Sequence, residues 1–286
     1  MAVGGNPVFA KNKTFNDPQA ARGQLANQGY LGAGTASSAA QSQMTSQQLQ
    51  DLYNAPSAGP GKTGRMTFDD VIMKTVATLA LVLVGAAAGW IFPILTIPGM
   101  LIGLVLGLVN SFKKEPSPPL ILIYAVAEGM FLGGLSQALE SVYPGIVVQA
   151  VIGTLSVFAV TLVLFKSGKV RATPKMVKFF MIAIGGYLVF SLINLGLMLF
   201  NATSSPWGIN SMDIPGTNIP FGLVIGLLAI GLAAFSLIMD FTSIQQGVQN
   251  GAPAKYSWTA AFGLTVTLVW LYVEILRLLA ILRGND

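Results

Sequence analysis

Three carboxylates stand where the surrounding sequence is apolar: Glu128, Asp240 and Glu274. Asp240 lies in Leu237-Ile-Met-Asp-Phe-Thr-Ser-Ile-Gln245, and Glu274 in Leu271-Tyr-Val-Glu-Ile-Leu-Arg-Leu-Leu279. On a helix, Arg277 falls one turn beyond Glu274 on the same face, where the two can pair. A charged side chain at the centre of a bilayer costs about 2.5–3.5 kcal/mol even on the insertion scale, so such a residue is functional by default. Oxygen donors of this kind suit a hard cation such as Ca²⁺. Two carboxylates that face each other would also share a proton. Each residue has a plainer reading too. Asp240, placed at the end of its apolar run, can be a helix-end charge at the headgroups. Glu274 can be a structural partner of Arg277, with little net stability gained. Glu128 can be protonated and bonded to a neighbouring carbonyl. Taken together, they favour a proton-titrated or cation-binding site.

The missing residue types narrow the chemistry further. The chain has no His and no Cys. That removes disulfides, thiolate or imidazole metal sites, Ser-His-Asp and Cys-His catalysis, and His-ligated haem. Proton chemistry near neutral pH therefore falls to carboxylates. Intramembrane aspartyl proteolysis would need paired aspartate motifs, and neither Tyr-Asp nor Gly-Leu-Gly-Asp occurs. No inverted-repeat signal points to a small-molecule transporter. The expectation is a protein that is not an enzyme and carries no cofactor.

The elements that must position these residues follow from composition. Only 9% of the residues are charged and 53% are hydrophobic, against roughly 25% charged in a soluble domain. Seven apolar runs are long enough to cross a bilayer: 71–92, 94–112, 120–139, 146–165, 176–200, 219–241 and 256–282. The fold class expected is an all-α integral membrane protein, a bundle of seven transmembrane helices. Thr67-Phe-Asp-Asp70 reads as a helix start, with Thr67 as N-cap. Fourteen of the sixteen basic residues precede the first span, lie within its first turn, or follow spans two, four and six. Positive charge stays cytoplasmic, which places the N-terminus inside and the C-terminus outside. The absence of an organelle signal fits a bacterial inner membrane. The basic stretch Lys166–Lys178 lacks a Gly-rich cradle or interleaved aromatics, so it reads as topology and anionic-lipid contact rather than nucleic-acid binding.

Residues 1–65 differ from the 66–286 membrane domain. Rich in Gln, Ala, Ser and Gly, they read as a disordered cytoplasmic tail, with a short helix possible around Met44–Tyr53. No apolar run follows their basic residues, so they do not read as a signal peptide. Asn201-Ala-Thr203 matches a glycosylation sequon. Glycines four apart (Gly85/Gly89, Gly103/Gly107, Gly129/Gly133, Gly222/Gly226) allow close helix approach. Because the pattern occurs in four different spans, packing within one bundle is favoured over a dimer seam, and the oligomeric state stays open.

Asp240-Phe-Thr-Ser-Ile-Gln, the last-span sequence Leu-Tyr-Val-Glu274-Ile-Leu-Arg-Leu-Leu, and Ala127-Glu-Gly-Met-Phe-Leu-Gly-Gly134 together resemble the Bax inhibitor (transmembrane Bax inhibitor motif) family over about residues 66–283. The resemblance implies a seven-helix bundle with a central last helix. It also implies a pH-dependent Ca²⁺ leak in which acidic residues on the sixth and seventh helices, here Asp240 and Glu274, sense protons and transiently ligate Ca²⁺. Three departures stand out. Glu274 replaces the usual aspartate, and Arg277 stands where an uncharged polar residue is more common. Where the family can carry an arginine latch at the end of the second helix, this chain has Ser111-Phe-Lys-Lys114, so either Lys113 or Lys114 serves or the latch is absent, and a lysine cannot reproduce a bidentate clamp. The rival class is a non-transporting regulator or partner of another membrane protein, such as a membrane protease, with the N-terminal tail as the discriminating feature.

Overall fold

A computed structural model describes residues 19–20, 64–168, 172–200, 207–217 and 219–284. The readings of a disordered tail and of a helix around Met44–Tyr53, the basic residues Lys169 and Arg171, and the Asn201 sequon lie outside these residues. Seven helices are long and apolar enough to span a membrane. They are α1 (Phe68–Ile91), α2 (Thr96–Phe112), α3 (Pro118–Val142), α4 (Ile146–Lys166), α5 (Pro174–Leu199), α6 (Phe221–Gln249) and α7 (Ser257–Gly284). No strand occurs among the described residues; the only pairings of that kind are two isolated bridges.

The helix boundaries have local causes. Thr67 caps α1, its hydroxyl oxygen accepting from the Asp70 N–H at 3.1 Å, which satisfies one of the orphan donors of the first turn. Pro118 and Pro174 open α3 and α5 at positions where no intrahelical N–H is needed. Gly145, at φ +84°, makes the tight turn into α4. Glu140 completes that turn by accepting from Gly145 N–H at 2.5 Å and Val147 N–H at 3.0 Å, so this acid near the helix end caps α4.

α7 is the central helix. It packs against α6, α1, α4 and α3, and its buried residues run almost its full length. α2 and α5 are peripheral, with most of their large apolar side chains facing outward. The glycine pairs do their packing inside the chain. A Cβ at Gly85 or Gly89 would meet the backbone carbonyls of Val126 or Met130 on α3, and one at Gly129 or Gly133 those of Val82 or Ala86 on α1. A Cβ at Gly222 would meet the Asn210 carbonyl and the Ile281 side chain of α7, and one at Gly226 the Leu278 side chain of α7.

One boundary differs from the sequence expectation in a way that matters. The sixth span does not end near Phe241; α6 continues to Gln249. Thr242, Ser243, Gln245 and Gln246 lower the hydropathy there, but Phe241, Ser243, Ile244 and Gly247 are still buried in the bundle. Asp240 is therefore an interior residue of the bundle, about 13 Å before the helix end.

Candidate functional site

α6 and α7 run side by side and carry the two deepest carboxylates. Asp240 is 0% exposed and Glu274 is 3% exposed. Asp240 Oδ2 accepts a hydrogen bond from Thr267 Oγ1 of α7 at 2.6 Å. Glu274 has a different set of neighbours. Its Oε1 accepts from the Tyr187 hydroxyl of α5 and from Trp270 Nε1, one turn back on α7, at 3.1 Å. Its Oε2 lies 2.5 Å from Arg277 Nη2. The alignment of that ion pair is poor, so neither atom closes a hydrogen bond of good geometry. Arg277 also lies over the Tyr187 ring, 5.9 Å from its centroid. These neighbours form one compact unit of Tyr187, Trp270, Glu274 and Arg277.

The two carboxylates do not form the proton-sharing dyad expected from the sequence. Thr267 and Glu274 are seven residues apart on α7, about 10.5 Å along its axis. A single Ca²⁺ holds its oxygen ligands at about 2.3–2.6 Å, so Asp240 and Glu274 are not joint ligands of one ion in this arrangement. Among the described residues no three acidic side chains come close enough to hold a metal. The reason is the stagger of the helices. Asp240 sits in the half of the bundle nearer the basic loops, and Glu274 in the opposite half, about 15 Å before the end of α7.

The supporting charges are also separated. Glu128 on α3 is half-buried, and its Oε2 faces Gly103 of α2, 2.6 Å from where a Cβ would stand. It neither joins the other carboxylates nor bonds to a carbonyl among the described residues. Lys113 and Lys114 are exposed beyond the end of α2, and neither forms an ion pair among the described residues. The lysine latch to Asp240 is therefore not made. The ion pair of this region is Lys255 with Glu115 at 2.9 Å, which joins the α2–α3 connection to the α6–α7 connection. Arg277 does what its spacing suggested, pairing with Glu274 one turn away.

Tyr187, Trp270 and Thr267 were not singled out in the sequence. Trp270 precedes Glu274 by four residues, the spacing that puts both on one face of α7, so that signal was present. Thr267 lies two turns from Glu274 on the same helix. Tyr187 could be found only from the docking of α5 on α7.

Seven apolar helices around a central helix, with two buried carboxylates on adjacent spans, define an integral membrane protein whose interior carries ionisable groups. The chain belongs to the Bax inhibitor 1 like family, whose model matches residues 6–284. That match reaches well into the N-terminal segment, beyond the span region in which the motifs lie. Family and fold are together consistent with a membrane channel or regulator. A comparison with curated proteins finds no match.

Proposed function

We propose that the protein is a pH-regulated, Ca²⁺-permeable leak channel or proton-coupled cation exchanger, with Asp240 and Glu274 on the pathway. The observation that carries this reading is the complete burial of two carboxylates on the two adjacent inner helices of a bundle from this family. Structural stability alone does not favour such groups, because desolvating a charge costs more than a single ion pair returns. Their stagger supports two stations in series rather than one shared site. A cation entering at the basic end meets Asp240 first and Glu274 about two turns later. Protonating either station removes the negative charge that attracts the cation, so acid closes the path and deprotonation opens it. Excess positive charge at the end bearing the α2–α3, α4–α5 and α6–α7 connections supports a cytoplasmic location for that end in a bacterial inner membrane.

A second reading has one observation in its favour. Arg65 forms a bridge with Pro253, Met66 N–H donates to Ala252 O at 2.6 Å and Ala254 N–H to Gly64 O at 2.7 Å. A partner that grips the N-terminal segment would thus pull on the α6–α7 connection, as a non-transporting regulator of a membrane protein requires. Purified protein in liposomes loaded with a Ca²⁺ indicator separates the two. A pH-dependent Ca²⁺ flux supports the leak, and no flux at any pH assigns the protein to the regulator class.

A further inference from the structure

The half of the bundle away from the basic loops carries a cleft that neither reading uses. α1 and α4 both pack on α7 yet barely meet each other, and the gap they leave is a cavity of about 490 Å³. On α1 its lining runs from Leu79 to Trp90, about 16 Å along the axis. The residues that α3 and α7 contribute, among them Leu132, Ser136 and Val269, are buried and form the floor. The walls are not buried: Leu83 of α1 is 71% exposed and Leu155 of α4 is 60% exposed. The cleft therefore opens sideways, between α1 and α4, onto the outer surface of the bundle.

The lining suits an apolar occupant. Among the described residues no charged side chain borders the cleft. Its side-chain hydroxyls are engaged within the protein: Ser136 Oγ and Tyr272 Oη meet at 2.7 Å, and Thr154 Oγ1 donates to Ala150 O at 2.8 Å. Hydrocarbon can therefore fill the space without stranding a hydroxyl. Size and place narrow the choice. The volume falls within the range of about 300–1,000 Å³ that holds a ligand-sized molecule. A helix of the same length, at least about 10 Å across, would need about 1,300 Å³. The hydrocarbon of one leaflet is about 15 Å deep, close to the length of the cleft. Trp90 stands at its outer end, and tryptophan favours the level of the headgroups. The mouth is continuous with the lipid-facing surface of the spans, since Val84, Val148 and Ile152 of the same two helices are exposed.

We propose that this cleft binds one acyl chain of a phospholipid from the leaflet opposite the basic loops. The headgroup stays at the level of Trp90, and the chain runs inward between α1 and α4 toward Leu79. Seated there, it wedges the two helices apart and lies against Tyr272 of the central helix. Binding of this kind needs no transport, so it stands or falls apart from the leak.

The test uses the full chain in vesicles of phosphatidylethanolamine and phosphatidylglycerol, doped with a phosphatidylcholine that carries a diazirine in one acyl chain. After irradiation, the cross-linked residues are mapped by mass spectrometry. Cross-links to Leu83 and Leu155 should exceed, several-fold, those to Leu104 of α2 and Ile182 of α5, which are about as exposed but lie outside the cleft. Ala87 is an exposed residue of the lining, so Ala87→Phe fills the cleft without overpacking the core. It should abolish the excess at Leu83 and Leu155 and leave Leu104 and Ile182 unchanged. Val151→Phe, from the opposite wall, serves if Ala87→Phe does not fold. Cross-links that follow exposure alone, and that the filled variant does not alter, would overturn the site and leave only the ordinary lipid surround. Depletion at Leu83 and Leu155 in a protein that migrates as a dimer would also overturn it, by assigning the cleft to a second copy.

Discussion

Thr267 of α7 and Asp240 of α6 meet at 2.6 Å, hydroxyl to carboxylate, in the interior of the bundle. The bond ties the acidic residue of one helix to a neutral donor on the next, and both residues are shut off from the surface. α6 and α7 cannot slide past each other without breaking it.

Thr267→Val keeps the shape and removes the donor. Thermal unfolding in detergent should show a loss of about 1 kcal/mol, the scale of interhelical hydrogen bonds in membranes. Thr267→Ser should restore most of that loss. If flux depends on this contact, its pH profile should change in the valine variant and recover in the serine variant. Identical stability in all three proteins would remove the bond from the account.

The Glu274–Arg277 pair is buried and tied to Tyr187 and Trp270. Arg277→Gln should destabilise the protein by about 3–5 kcal/mol, because it strands a carboxylate away from water. The double variant Glu274→Gln with Arg277→Gln should recover most of this, since no charge is then left unpaired. A double variant as unstable as Arg277→Gln alone would show that the guanidinium acts through packing.

Much of the architecture can be read from the sequence because lipid imposes simple rules. Seven apolar runs and the Thr67 cap reappear, with boundaries shifted by a few residues. The exception is the end of α6, where Thr242, Ser243, Gln245 and Gln246 look like an exit from the membrane yet continue a partly buried helix. Local hydropathy cannot report burial against another helix. The site was half readable for the same reason. Glu274 and Arg277 lie one turn apart on one helix, so their pairing followed from spacing. The level of Asp240 relative to Glu274 depends on how α6 and α7 are staggered, and the role of Tyr187 on the docking of α5; neither leaves a pattern within one segment.

The α1–α3 seam is a further test of packing. A Cβ at Gly129 would run into the Val82 carbonyl, whereas one at Gly186 of α5 meets nothing within 4 Å. Gly129→Ala should therefore lower stability by about 1–3 kcal/mol through overpacking, and Gly186→Ala should be neutral or slightly stabilising. Similar melting temperatures for both would mean that the seam relaxes freely.

The strap before α1 makes a separable prediction. Met66 is 1% exposed and belongs to the core. Met66→Ala should cost about 2–5 kcal/mol in thermal unfolding. An unchanged melting temperature would remove Met66 from the core.

The central claim is that buried carboxylates gate a cation path, and Asp240→Asn tests it most directly. The amide keeps the size of the side chain and can still accept from Thr267, but it neither titrates nor carries charge. In liposomes holding purified protein, the unsubstituted chain should pass Ca²⁺ with a steep dependence on pH. Asp240→Asn, folded to the same melting temperature within a few degrees, should show that dependence flattened or lost. A pH profile unchanged by the substitution, or no flux from the unsubstituted protein at any pH, would contradict the account.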